Sequence, residues 1–164
     1  IYSISRLIVH YSDEDIDNLV SFKYGQSYTF SIMSLLYPSL DFSNIFHLDH
    51  IFPKSLFTNS KLKKMLIPND QIQDYKDRVN LISNLQLLEA IPNIEKSDKP
   101  FDKWLSETYS DESEIKTYLK KNLMPKQTSR EFSNFIEFFE ERESLIKAKL
   151  KSILSVSEQL QDHV

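Results

Sequence analysis

Apolar residues recur at two different spacings along this chain, and the change of spacing marks its elements. Beyond residue 128 the spacing is helical. Phe132, Phe135, Ile136, Phe139, Leu145, Ile146, Leu150, Ile153 and Leu154 fall on one face. Thr128 with Glu131 makes a capping box, which predicts a helix from there to about Val156. The stripe reads as core or as a seam against a partner helix. A second capping box, Ser12 with Asp15, opens a helix to about Phe22, and residues 27–36 read as another, stopped by Pro38. Residues 45–52 form a short apolar run of strand length closed by Pro53, and residues 84–89 form a second such run.

Between the two runs, residues 54–67 read as a loop with a short basic helix, and residues 69–78 as a polar helix. After the second run, Pro92 suits the first turn of a helix that carries Asn93 and Lys96. Pro100 opens another helix through Trp104, and residues 111–123 make a further one. Gly25 is the single glycine, which nearly excludes glycine-turn hairpins and glycine-rich phosphate loops. The pattern predicts an α+β fold, mainly helical, with one small sheet.

The chain has 164 residues, enough to bury a core without staples. It has no cysteine, so disulfides and thiolate zinc sites are excluded, and a reducing cytosol suits it. No apolar run reaches the roughly 18 residues of a membrane span. No signal peptide is visible, and the start at Ile1 reads as a piece of a longer protein. The net charge of -4 does not advertise a nucleic-acid binder. Local charge changes that picture, because Lys54, Lys61, Lys63 and Lys64 follow the first strand with no acid among them.

The first strand carries "FHLDHIFPKS", with His47, Asp49 and His50 inside an apolar run. Buried strands rarely hold three such side chains together. Phosphodiester hydrolysis needs an activated water, relief of charge on the phosphate and a stabilised leaving oxygen. Histidine titrates near neutrality and accepts a proton from water. Carboxylate and amide oxygens are hard ligands, suited to a magnesium or manganese ion that keeps several waters. The chain offers His50 as base, Asp49 and Asn93 as metal ligands, and Lys54 and Lys96 as phosphate contacts. On a regular strand Asp49 and His50 point to opposite faces, so the strand must end or twist near His50.

"HLDHIFPKS", then "NLQLL", then "PNIEKSD" resembles the HNH nucleases of the His-Me finger, or ββα-metal, group. That resemblance covers roughly residues 45–99 and implies a small ββα-metal unit embedded in a helical domain. It implies His50 as general base, Asp49 and Asn93 as ligands of magnesium or manganese, and Asn84 as a brace that orients His50 through the backbone. His47 matches a polar position that is sometimes a further ligand. "FSIMSLLYPSLDFSNIFHLDHIFPKS" and "FIEFFEERESLIKAKL" also look like the C-terminal nuclease region of bacterial GmrSD-type restriction and phage-defence proteins. This second resemblance implies a bacterial, cytoplasmic, metal-dependent DNA endonuclease domain. Its DNA-sensing, nucleotide-binding N-terminal domain would lie outside this chain.

The expected organisation is a helical segment over residues 1–44, the HNH core over 45–99 and C-terminal helices over 100–164. Two other functions compete: a catalytically silent HNH-fold module that binds nucleic acid or protein, and a helical interaction domain built on the C-terminal stripe.

Overall fold

The computed structural model describes residues 11–161, with side chains through residue 155. The helices that follow Ser12, Thr58 and Asp111 start where a side chain satisfies free backbone N–H groups. Helix α1 (Asp13–Val20) opens on the Ser12–Asp15 capping box. Helix α2 (Thr29–Leu36) ends just before Pro38. Strand β1 (Phe46–His50) leads into a 3₁₀ turn over Lys54–Phe57 and helix α3 (Asn59–Lys64), which Thr58 caps. Helix α4 (Ile72–Arg78) precedes a 3₁₀ turn over Ile82–Asn84 and strand β2 (Leu85–Glu89). Then come α5 (Ala90–Lys96), α6 (Phe101–Thr108) and α7 (Glu112–Lys121), the last capped by Asp111. Helix α8 (Phe135–Gln161) ends the described chain.

The fold is thus α+β, mainly helical, with one two-stranded antiparallel sheet among the described residues. The register pairs Phe46 with Glu89, His47 with Leu88, Asp49 with Gln86 and His50 with Leu85. Helix α5 packs on both strands, which completes a ββα arrangement. Among the described residues no helix is long and apolar enough to cross a membrane.

Two hydrophobic clusters form. One joins Ile51, Phe52, Phe57 and Tyr75 to Phe101, Trp104, Tyr118 and the first half of α8 through Phe135, Phe138 and Phe139. The other joins Ile16, Val20, Ile32 and Met33 to Ile82, Leu85 and Leu87, and to α8 through Ile146 and Leu150. Each cluster draws on more than one of the three expected segments, so those segments share their cores.

Helix α8 departs from its expected start. The Thr128 hydroxyl bonds the Glu141 carboxylate rather than capping a helix with Glu131. A 3₁₀ turn over Phe132–Asn134 intervenes before Phe135. The cause is packing: the Phe132 ring reaches Phe57 at 4.9 Å and Tyr75 at 5.5 Å, and the Tyr75 hydroxyl bonds the Ser133 carbonyl at 2.8 Å. The stripe is also redrawn. Leu145 is exposed, and Phe138 and Arg142 take buried places on the helix.

Arg142 lies between the two halves of α8 that serve the two clusters, fully buried. Its guanidinium donates to the carbonyls of Ile82 (3.2 Å) and Ser83 (2.9 Å) and to the Tyr37 hydroxyl (3.3 Å). Burial pulls its pKa down, while the Tyr37 hydroxyl opposes that shift. One side chain therefore pins the turn before β2. Arg142→Ala takes a donor from the Ser83 carbonyl and the Tyr37 hydroxyl, each worth about 1–3 kcal/mol, while the Ile82 carbonyl keeps the Leu85 N–H. Urea denaturation should show a loss of about 3 kcal/mol or more, with Arg142→Lys recovering only part because an ammonium lacks the forked geometry. An unchanged midpoint in Arg142→Ala would exclude this role.

Candidate active site

Strand β1 ends at His50, and the chain bends at once through Ile51 and Phe52. Asn84, fully buried, holds that bend. Its side-chain oxygen accepts from Phe52 N (3.0 Å), and its amide nitrogen donates to Phe52 O (3.2 Å) and Val79 O (2.8 Å). Its backbone carbonyl accepts from Ile51 N at 2.8 Å. The amide thus has acceptor and both donors used, which is what a buried asparagine requires. It touches His50 only through the intervening backbone.

The His50 ring points away from α5. Its Nε2 lies 3.0 Å from Asn80 Oδ1, and Tyr24 stacks obliquely on it with ring centroids 4.7 Å apart. Burial holds the His50 pKa below the ordinary histidine value. The Asn80 hydrogen bond and the Asp49 charge oppose that shift, and Lys54 and Lys96 add to it. Burial thus favours the neutral form of the ring.

Asp49 lies one residue earlier and faces the other way, toward α5. Its Oδ2 takes a hydrogen bond from Gln86 Nε2 (2.8 Å) and an ion pair from Lys96 Nζ (2.9 Å). Gln86 is itself buried and accepts from the Tyr118 hydroxyl. Oδ1 has no protein partner among the described residues. Asn93 stands one helical turn before Lys96 on α5, half-buried, and its side-chain amide makes no hydrogen bond among the described residues. His47 is exposed and shares the Asp49 side of the strand. No group of three or more His, Cys, Asp or Glu side chains among the described residues is arranged to hold a metal ion. The oxygen donors available here are Asp49 Oδ1 and the Asn93 amide.

Lys96 must be reassigned. As a phosphate contact it would have to reach solvent, yet it is fully buried, with Nζ bonded to the His50 carbonyl (2.6 Å) as well as to Asp49. Burial pulls its pKa down, and the Asp49 carboxylate pulls it back up. It ties α5 to the end of β1. Lys54, by contrast, is exposed on the 3₁₀ turn after β1, and Lys61, Lys63 and Lys64 are exposed on α3. This basic surface begins at the first turn beyond His50.

Asn80, Gln86, Tyr24 and Tyr118 escape a reading of the sequence. Asn80 and Gln86 lie within "RVNLISNLQLL", where a polar residue flanking Asn84 reads as a turn or a strand edge. Only the place of Gln86 between Leu85 and Leu87, on a strand buried from Leu85 to Leu88, signals it. Neither protein-family models nor characterised proteins give a match to this chain.

Two stability measurements separate the lysines. Lys96→Met strips the cation from a carboxylate that is itself largely buried, and breaking such a pair costs about 3–5 kcal/mol. Lys54→Ala should leave the melting temperature where it was. Equal melting curves for the two variants would contradict the buried role of Lys96. Asn84→Ala should lower stability by about 1–3 kcal/mol for the partners it leaves unpaired; a variant that melts with the wild type would mean that water replaces the amide.

Proposed function

We propose that this chain is a metal-dependent DNA endonuclease domain of the HNH, or His-Me finger, kind, and that it serves a bacterial restriction or anti-phage defence protein. The observation that carries the reading is the placement of His50. It is a half-buried histidine at the end of the first strand of a ββα arrangement, next to Asp49 in sequence though on the opposite face, and followed by a bend that Asn84 braces. Its partners leave one ring nitrogen without a hydrogen bond among the described residues, and that nitrogen takes the proton.

In this reading a water loses its proton to His50 as its oxygen bonds to phosphorus. The opposite P–O ester bond breaks, leaving a phosphate monoester and a free hydroxyl once the departing oxygen takes a proton from solvent. Asp49 Oδ1 and the Asn93 amide, with His47 on the same side of the strand, would hold magnesium or manganese. The bound ion supplies Lewis-acid relief of charge at the leaving oxygen. These donors fit such an ion because they are hard oxygens without protein partners among the described residues. They bring little net negative charge, since Lys96 already neutralises Asp49. Affinity should therefore be weak until a substrate phosphate adds its own charge. Lys54 and the α3 lysines hold flanking phosphates.

The chain carries more acid than base, so a separate DNA-sensing, nucleotide-binding domain of the same protein would supply further contacts in the bacterial cytoplasm. The rival reading, a silent HNH-fold binding module, draws on the same Lys96–Asp49 pair, which would then leave no room for an ion.

A plasmid-nicking assay decides between them. The wild type should cut with millimolar magnesium or manganese and stop on chelation, while its melting temperature stays put. His50→Ala should lose about 10²–10⁴ in rate, and Asp49→Ala should abolish the response to metal. Because burial lowers the His50 pKa, the base stays unprotonated to lower pH than a free histidine. The rate should therefore fall on acidification with a midpoint below the usual histidine value. Wild-type activity in His50→Ala would end the nuclease assignment to this site, and a wild type inert with every divalent ion would favour the binding module.

A further inference from the structure

We propose that Asn80, supported by Tyr24, is a positioning residue that selects the Nε2-protonated tautomer of His50 and so makes Nδ1 the proton acceptor. This rests on the nuclease reading for its consequence, but its structural content stands apart from it.

A neutral imidazole carries one N–H, and the nitrogen that carries it is set by the group it faces. Here the facing atom is the Asn80 side-chain oxygen, 3.0 Å from Nε2, and an amide oxygen only accepts. The proton is therefore on Nε2 and the lone pair on Nδ1. Rotation of the ring is restrained as well, because Tyr24 lies against its face at 4.7 Å. The two restraints share one anchor. Asn80 gives its backbone carbonyl to Tyr24 N at 2.7 Å while its side chain holds His50. The neighbouring residues continue the zipper: Lys23 bridges to Leu81, and Ile82 N donates to Phe22 O at 3.2 Å. Thr29, fully buried, secures the far side by donating to Lys23 O at 2.6 Å. A stretch before β1 thus forms one wall of the site.

The choice of an amide matters. A carboxylate at position 80 would select the same tautomer but would also stabilise the imidazolium and so favour protonation of the base. The charged groups around the ring are Asp49 on its own strand, Lys54 on the following turn and Lys96 from α5, and they act in opposite directions. Asparagine adds direction without adding charge.

The test uses the full 164-residue chain, labelled with ¹⁵N-histidine and observed by NMR at neutral pH, together with plasmid nicking in magnesium. In the wild type the His50 Nε2 should carry the proton and Nδ1 should not. Asn80→Leu should give a mixture of tautomers and a loss of about 10–100-fold in kcat with KM little changed. Asn80→Asp should keep Nε2 as the protonated nitrogen. A pure Nδ1-protonated ring in the wild type overturns the proposal, as does an unchanged tautomer in Asn80→Leu. If Asn80→Leu fails to fold, Asn80→Asp still decides, since a ring protonated on Nδ1 alone in that variant overturns the proposal. A wild type that cuts DNA while Asn80→Leu keeps full activity refutes the role of Asn80 and spares the nuclease reading. A wild type that never cuts refutes that reading and leaves the tautomer to be settled by NMR.

Discussion

Asn84 has no path to water, so every hydrogen bond its amide needs must come from protein. It takes them from both sides of the bend at Phe52 and from Val79 at the end of the α4 segment. Two stretches far apart in sequence are thereby held to the start of β2. The bend can occupy only one position if the amide is to be satisfied, and His50 lies just ahead of it. The alternation of the strand sends Asp49 and His50 to opposite sides, because His50 still pairs with Leu85. The chain turns only beyond His50, where Ile51 bonds the Asn84 carbonyl. The placement of the histidine is thus a consequence of an asparagine it never touches.

Charge is arranged with equal economy. Asp49 sits beside a buried ammonium, and that ammonium also holds the His50 carbonyl. Burying Lys96 unpaired would cost several kcal/mol, so the carboxylate and the carbonyl are as necessary to Lys96 as it is to them. Behind Asp49, Gln86 and the Tyr118 hydroxyl extend the polar chain toward α7. Asp49 is left with one oxygen fixed in place and one open. A carboxylate prepared this way keeps its orientation with or without a ligand.

The fold class was legible because helices and strands announce themselves by spacing, caps and prolines. Ser12, Asp111, Pro53 and Pro100 stand at element ends, where local chemistry alone decides. Thr128 shows the limit. Its capping box is chemically sound, but packing of Phe132 into an aromatic cluster outweighs one cap, and that cluster joins residues scattered along the chain. The site divides the same way. His50, Asp49 and Asn84 stand out because their types are costly where they occur. Asn80 and Gln86 are ordinary residues whose meaning lies in what they face. Lys96 reads as a solvated helix lysine until the sheet is in place beneath it. Arg142 interrupts an apolar stripe, and nothing local distinguishes a buried arginine from a surface one.

Strand β1 finds its partner only after residues 51–84 have been made, and Arg142, which pins the turn leading into β2, comes 59 residues after Ser83. Pairings of such long sequence separation form slowly, because the loop must close before the contact repays it. On the ribosome the delay is enforced by synthesis, since the chain is made from its N-terminal end. A nascent fragment that stops short of Arg142 carries His47, Asp49, His50, Asn84 and Asn93, but not the cation that holds the turn between them. The side chains of the site are thus translated well before the helix that gives them their geometry, and the order of synthesis acts as a clock on when the site takes shape.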